Sequence, residues 1–235
     1  MIDDTATLDP PGSIAVVGAG PLGIEAALYG RYLGYDVTLL EAVGVASSLA
    51  GADSSDGSGD APIPMMPDRA VSPLARSALM AQSGTGEPWT SPTTIGQWID
   101  QVWMPLTQTD LLRGRLKCPA EVTSIELVDV QPDPDDNDDP DVESESGRDV
   151  VIEPDFRLIL QTGDPVDAEA VILATGGDDH IRKSFEIPRD YFFQVGGHAS
   201  DDAEAAFWTG LKEIVAIYAS LGGRADLDLY RPLRG

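Results

Sequence analysis

The residues best equipped for chemistry in this sequence are three glycines and an acid. Gly18, Gly20 and Gly23 stand in the segment Val-Val-Gly-Ala-Gly-Pro-Leu-Gly, and Glu41 closes the segment Val-Thr-Leu-Leu-Glu. G-x-G-x-x-G spacing suits a diphosphate. The first glycine permits a tight turn, the second lets phosphates approach the backbone, and the third lets a helix pack closely on a strand. A carboxylate roughly twenty residues further on can accept from ribose hydroxyls. It also repels a 2′-phosphate, so NADP is the poorest fit to this motif. The plainer alternatives are a structural glycine turn and a solvated strand end.

Other reactive side chains are few. His180 and His198 are the only histidines. His198, beside Gly197 and just ahead of a helix, is the better candidate for a catalytic role; its plainer role is a hydrogen-bonding loop residue. Cys118 is the single cysteine, which excludes an internal disulfide and a C-x-x-C redox pair. The cytoplasm is then the natural compartment.

The elements that must position these groups are legible. Residues 14–17 are an apolar run suited to a strand buried on both faces. Pro21 falls at the first position of the helix that follows, where its missing N–H costs nothing. That helix runs to about Leu33, with Leu22, Ala26, Tyr29 and Leu33 spaced for one buried face, and its start offers free N–H groups to an anion. Residues 37–40 make the second strand. Residues 42–115 read as a loop-rich and helical excursion. Within it a short helix lies near residues 74–80, Thr94 and Gln97 form a capping box, and Pro105 kinks or ends the helix they start. Trp98 and Trp103 read as core packing, with a pocket lining as the alternative.

Residues 116–130 hold two strand pieces broken near Pro119. Residues 131–149 are Asp, Pro, Glu and Ser with almost nothing apolar, an acidic excursion expected to be disordered. It lacks calcium-loop spacing, and no metal site is expected. Phe156, Leu158 and Leu160 alternate as a half-buried strand should, and Ala-Val-Ile-Leu-Ala-Thr-Gly-Gly at 170–177 is an apolar strand ending in small residues. A last strand covers 191–195. Ser200 or Asp201 caps the final helix, Phe207, Leu211, Ile214, Tyr218 and Leu221 share its buried face, and Gly222-Gly223 stops it. Its start is a second candidate anion site.

With 235 residues, the chain can bury one good core, or one core with a small appended lobe, and is expected to form a single domain. Forty acids against fifteen Lys and Arg give a net charge of −25, which argues against nucleic acid or an anionic membrane as partner. The first residues lack the apolar stretch of a signal peptide, and no apolar run is long enough to span a bilayer.

Taken together, the segments at 16–23 with Glu41, at 171–177 (Val-Ile-Leu-Ala-Thr-Gly-Gly) and at 191–197 (Tyr-Phe-Phe-Gln-Val-Gly-Gly) resemble the FAD-binding part of the two-dinucleotide-binding-domain flavoproteins. These include pyridine nucleotide-dependent flavin oxidoreductases and flavin monooxygenases. The resemblance implies an α/β, Rossmann-like FAD/NAD(P)-binding domain with a parallel sheet, a β-meander and a C-terminal helix. It implies that Gly18, Ala19, Gly20, Pro21, Leu22 and Gly23 hold the FAD pyrophosphate and Glu41 the adenosine ribose. Val122 would meet adenine, Ala174, Thr175 and Gly176 would lie beside the nucleotide, and Gly196 and Gly197 would face the ribityl or flavin end. There are two departures. Gly196-Gly197 replaces the usual Gly-Asp, and about fifteen residues separate the last two segments, too few for the second, nicotinamide-binding unit. The implied activity is an FAD-dependent oxidoreductase fed by a small-molecule substrate or a separate electron-donor protein. The alternatives are a degenerate flavin- or dinucleotide-binding protein without turnover, and an NAD-binding dehydrogenase-type domain.

Overall fold

The computed structural model describes residues 7–52, 59–84, 88–128, 155–177, 180–198, 200–224 and 227–231, with only the backbone of 50–52. The acidic segment 131–149 lies outside the described residues. Apolar strand residues organise everything else. Five parallel strands, β1 (Ser13–Val17), β2 (Asp36–Leu40), β3 (Leu116–Lys117), β7 (Ala170–Leu173) and β9 (Phe192–Gln194), pair in the order β3-β2-β1-β7-β9. Ile14 stands opposite Val37 on one side and Ala170 on the other, so β1 is the centre of the sheet.

Side-chain alternation sends these strands into two cores. Ile14, Val16, Val37, Leu39 and Ile172 pack toward helices α1 (Pro21–Leu33) and α6 (Ala203–Gly222). Ala15, Val17, Leu40, Val171 and Leu173 pack on the opposite face against a second sheet. That sheet has the order β6-β5-β4-β8. Its β4 (Val122–Val128), β5 (Asp155–Leu160) and β6 (Val166–Ala168) form an antiparallel meander, and β8 (Arg182–Lys183) runs parallel to β4. Each fully buried Val, Ile or Leu contributes about 1.5–3 kcal/mol, so a polar residue on either face of β1 beyond Ser13, or of β7, would be costly. The architecture is α/β with three layers. A register shift between Val122 and Ser124 accounts for the imperfect alternation of the sequence there.

Helix α1 differs from the one-faced helix its periodicity predicts. Every residue from Gly23 to Gly30 is buried, while Leu22 and Leu33 are only partly so. The reason is that α1 is enclosed by the sheet, by α6 and by α3 (Pro73–Ser83). Tyr218 of α6 donates to the Ala26 carbonyl at 2.8 Å and stacks on Tyr29 with ring centroids 5.1 Å apart. The remaining excursion holds α2 (Ser47–Ala52), a 3-10 turn at Pro67–Arg69, and a helix built of α4 (Ile95–Trp98), a π-helical stretch (Ile99–Trp103) and α5 (Met104–Leu106). Thr94 caps α4, accepting from the Gln97 N–H, while the Gln97 side chain accepts from Thr93 rather than closing the box on Thr94. Pro105 stands at the start of α5, which ends one residue later. Trp103 is wholly core.

Enclosure of α1 also traps an acid. Glu25 is fully buried, and its carboxyl accepts from the Ser72 hydroxyl at 2.8 Å and the Ser72 N–H at 3.4 Å at the start of α3. Burial pushes this carboxyl from its ordinary 4.5 up to about 7, against the downward pull of the Ser72 hydrogen bonds. Between those two values the folded chain holds a proton that the unfolded chain has released. Stability from this group is therefore complete below pH 4.5 and is lost as pH rises through about 7. The loss is on the order of 3 kcal/mol. Glu25→Gln is expected to flatten that decline and to melt above wild type at pH 8; parallel melting-temperature profiles from pH 5 to 8 would contradict it.

Candidate functional site

The site grows from the carboxyl ends of β1, β2 and β7. Parallel strands leave a crevice where the chain turns in opposite directions from a central strand, and β1 is that strand. Gly18 leaves β1 at φ +100°, a left-handed conformation that side chains disfavour, and its N–H donates to the Leu40 carbonyl at 2.8 Å. A methyl at Gly18 would stand 2.7 Å from the Ala174 carbonyl oxygen, and one at Gly23 would overlap the Gly18 carbonyl oxygen. Gly20 differs: nothing lies within 4 Å of where its methyl would be. That open volume belongs to a cavity of about 1020 Å³. Gly20 is the residue before α1 and Pro21 the first within it, and neither a side-chain cap nor a first-turn acid covers the helix start. Free N–H groups and the positive dipole end thus face the space above Gly20.

Glu41 is largely buried at the end of β2. One carboxylate oxygen accepts from the Ala19 N–H at 2.7 Å; the other accepts from Val43 and Gly44 N–H groups at 2.9 and 3.3 Å. These donors lock the glycine turn to the turn after β2, and the carboxylate still lines the cavity. Two jobs are thus combined in a residue that spacing alone marks as a ribose ligand.

The structure brings Gly18, Gly20, Pro21, Leu22, Glu41, Val122, Ala174, Thr175, Gly176, Gly196 and His198 to the wall of this one cavity. Ala19, Gly23 and Gly197 do not line it. Ala19 is buried with its N–H given to Glu41, Gly23 serves the helix–turn contact, and Gly197 lies with its Cα 3.2 Å from where a methyl on Gly177 would be. Trp98, expected in the core, is both buried and part of the wall, with its indole N–H donated to Ala70 at 2.8 Å and its ring edge-on to Phe207. The cavity is therefore polar near Glu41 and Thr123 and aromatic near Trp98 and Phe207.

Sequence reasoning missed Glu213. From α6 its carboxylate accepts the Gly196 N–H at 2.9 Å and stands 2.9 Å from His198 Nε2. An acid thus faces the Gly-Gly turn, delivered by the helix rather than by the turn itself. The available signal was the helical stripe Ala206, Thr209 and Glu213, all of which line the cavity beside the apolar face. The final helix is also corrected at its start. Asp202, not Ser200 or Asp201, is the cap, and its carboxylate accepts the Ala205 N–H at 3.0 Å. That position is taken by the chain's own acid, with Glu204 paired to Arg69 at 2.8 Å beside it, so this helix start is no second anion site. Cys118 is exposed, and desolvation together with the Glu41 charge pushes its thiol up, the opposite of what a reactive thiolate needs. Among the described residues no group of three metal-ligating side chains occurs and no helix is long and apolar enough to cross a membrane.

No protein-family model matches the chain, and no curated protein does. Similar solved structures include an oxidized steroid monooxygenase bound to NADP, with 18% identity and a TM-score of 0.47 over 71% of this chain. Others are the FAD-bound form of OTEMO, at 15% identity and 0.47 over 72%, and closed cyclohexanone monooxygenase, at 18% and 0.47 over 73%. The chain spans about a quarter of their length, 26% of the first two and 27% of the third.

The glycines should separate by experiment. Gly18→Ala is expected to lose about 1–3 kcal/mol through left-handed strain and the Ala174 contact. Gly20→Ala should unfold with wild type in urea, since open space surrounds it. Equal losses from both substitutions would contradict this geometry.

Proposed function

We propose that this chain binds FAD and forms the flavin-holding part of an FAD-dependent oxidoreductase. The observation that carries the reading is the convergence of the glycine turn, Glu41, the Ala174–Gly176 segment and the Gly196 turn on one cavity whose wall carries both polar and aromatic side chains. Gly18, Ala19, Gly20, Pro21, Leu22 and Gly23 would form the cradle for the diphosphate, with the unfilled space at Gly20 as the approach. Glu41 would accept a ribose hydroxyl on lone pairs its backbone donors leave, and its charge would turn away a 2′-phosphate. Val122 would meet adenine, Ala174, Thr175 and Gly176 would flank the nucleotide, and Gly196 and Gly197 would border its far end. FAD, when bound, supplies two-electron redox chemistry. The chain's part is to bind, orient and exclude water, with Trp98 and Phe207 offering an apolar wall to a planar ring. His198, 2.9 Å from the Glu213 carboxylate and on the wall of the same cavity, is the side chain we assign to a catalytic role.

An NAD-only domain is disfavoured by the antiparallel β4–β6 meander, where such a domain would continue in alternating strands and helices. Binding without turnover remains a second reading, and one observation favours it. Between β7 and β9 the described residues hold only the two-residue β8, so no nicotinamide-binding unit stands in that interval. Under the oxidoreductase reading, hydride would come directly from a small-molecule substrate, or electrons from a separate donor protein.

Titration with FAD, followed by quenching of flavin fluorescence, tests the reading. Saturable one-to-one binding is expected. Gly20→Ala should weaken it at least about tenfold, 1.4 kcal/mol, without lowering the melting temperature of the unliganded protein. Absence of binding would overturn the proposal, and bleaching of the bound flavin by a small-molecule reductant acting as substrate would exclude the reading without turnover.

A further inference from the structure

Arg182 lies on β8, the edge strand of the second sheet, and its register partner is Ser124 on β4, two residues beyond Val122. It lines the same cavity as Val122, Thr123 and Glu41. Among the described residues on that wall it is the only Lys or Arg; Glu41, Glu121 and Glu213 carry the opposite charge. Arg69, Arg115, Arg157 and Arg231 are each paired with a carboxylate. Arg182 is exposed, and although its backbone pairs with β4, its side chain makes no hydrogen bond or ion pair with any described residue. In a chain of net charge −25, an arginine at a cavity wall without a described acid partner stands out.

Its chemistry and its place indicate what it meets. A guanidinium is planar and weakly hydrated, and it lies readily over an aromatic face. The diphosphate cradle at Gly20 belongs to the first sheet and the start of α1, whereas Arg182 belongs to the strand beside β4, at the polar end that Glu41 and Thr123 mark. We infer that Arg182 is a nucleotide-binding residue whose guanidinium stacks on the adenine ring, making this wall selective for an adenine nucleotide. The inference rests on the nucleotide reading of the cavity but does not require a flavin.

ADP is the probe that separates the two. Calorimetric titration of wild type, Arg182→Ala and Arg182→Lys with ADP is expected to show a loss on the order of tenfold in both variants, because lysine keeps the charge and loses the plane. Circular dichroism should find all three equally folded. Wild-type affinity in Arg182→Ala would overturn the inference alone. Wild-type affinity restored by Arg182→Lys would overturn stacking in favour of a simple charge contact. Wild type that binds neither ADP nor FAD would overturn this inference and the proposed function together, whereas wild type that binds ADP but not FAD, with the arginine effect intact, would sink only the flavin.

Discussion

Close backbone contact at the carboxyl end of β1 is the constraint on which the rest depends. The Gly18 carbonyl occupies the space where a Gly23 side chain would be, and Gly18 itself lies against the Ala174 carbonyl. Strand β1, helix α1 and strand β7 can meet at one point only because two of the residues there lack side chains. Glu41 completes the junction through the Ala19 and Val43 N–H groups, fixing the turn after β2 to the same point. A crevice with free N–H groups on its floor follows from that junction, as does the direction in which α1 leaves it.

Electrostatics make the junction more than a packing device. The chain as a whole repels anions, so an anionic ligand needs local fields that outweigh a distant net charge. Screening favours the local terms: at physiological ionic strength charges beyond roughly 8 Å are largely damped, while an uncovered helix start acts at contact distance. The two long helices whose starts come near the cavity are treated differently in this respect. Helix α1 is left uncapped by any side chain, whereas Asp202 caps α6. Of these two helix starts, only the one at the glycine turn is left open to an anion. At the other end, Glu213 gives a carboxylate to Gly196 and His198, so that region is suited to donors and protons rather than to phosphate.

Much of this was legible in the residues. Strand, glycine turn, helix, strand and acid between Ser13 and Glu41 follow from local patterning, because turn chemistry and two-faced burial both act within a few residues. Ala170–Leu173 was legible for the same reason. What spacing could not convey is what the tertiary structure decides. The all-round burial of α1 depends on α3 and α6, distant in sequence. Glu213 reaches Gly196 across seventeen positions and a helix turn, and Arg182 joins the cavity through a two-residue strand paired to β4, too short for any periodic signal. The cap of α6 was displaced to Asp202 because Ser200, Asp201 and Asp202 are locally equivalent candidates, and only the helix's true first turn selects among them.

FAD is the proposed occupant of the crevice at β1. The most direct measurement is the visible absorption spectrum of the purified protein after incubation with FAD and removal of the unbound excess, followed by that of the supernatant after heat denaturation. Twin flavin bands that shift on binding, with intact FAD released on heating, are predicted. A colourless protein that takes up no FAD would contradict FAD binding and leave a Rossmann-like crevice without its flavin.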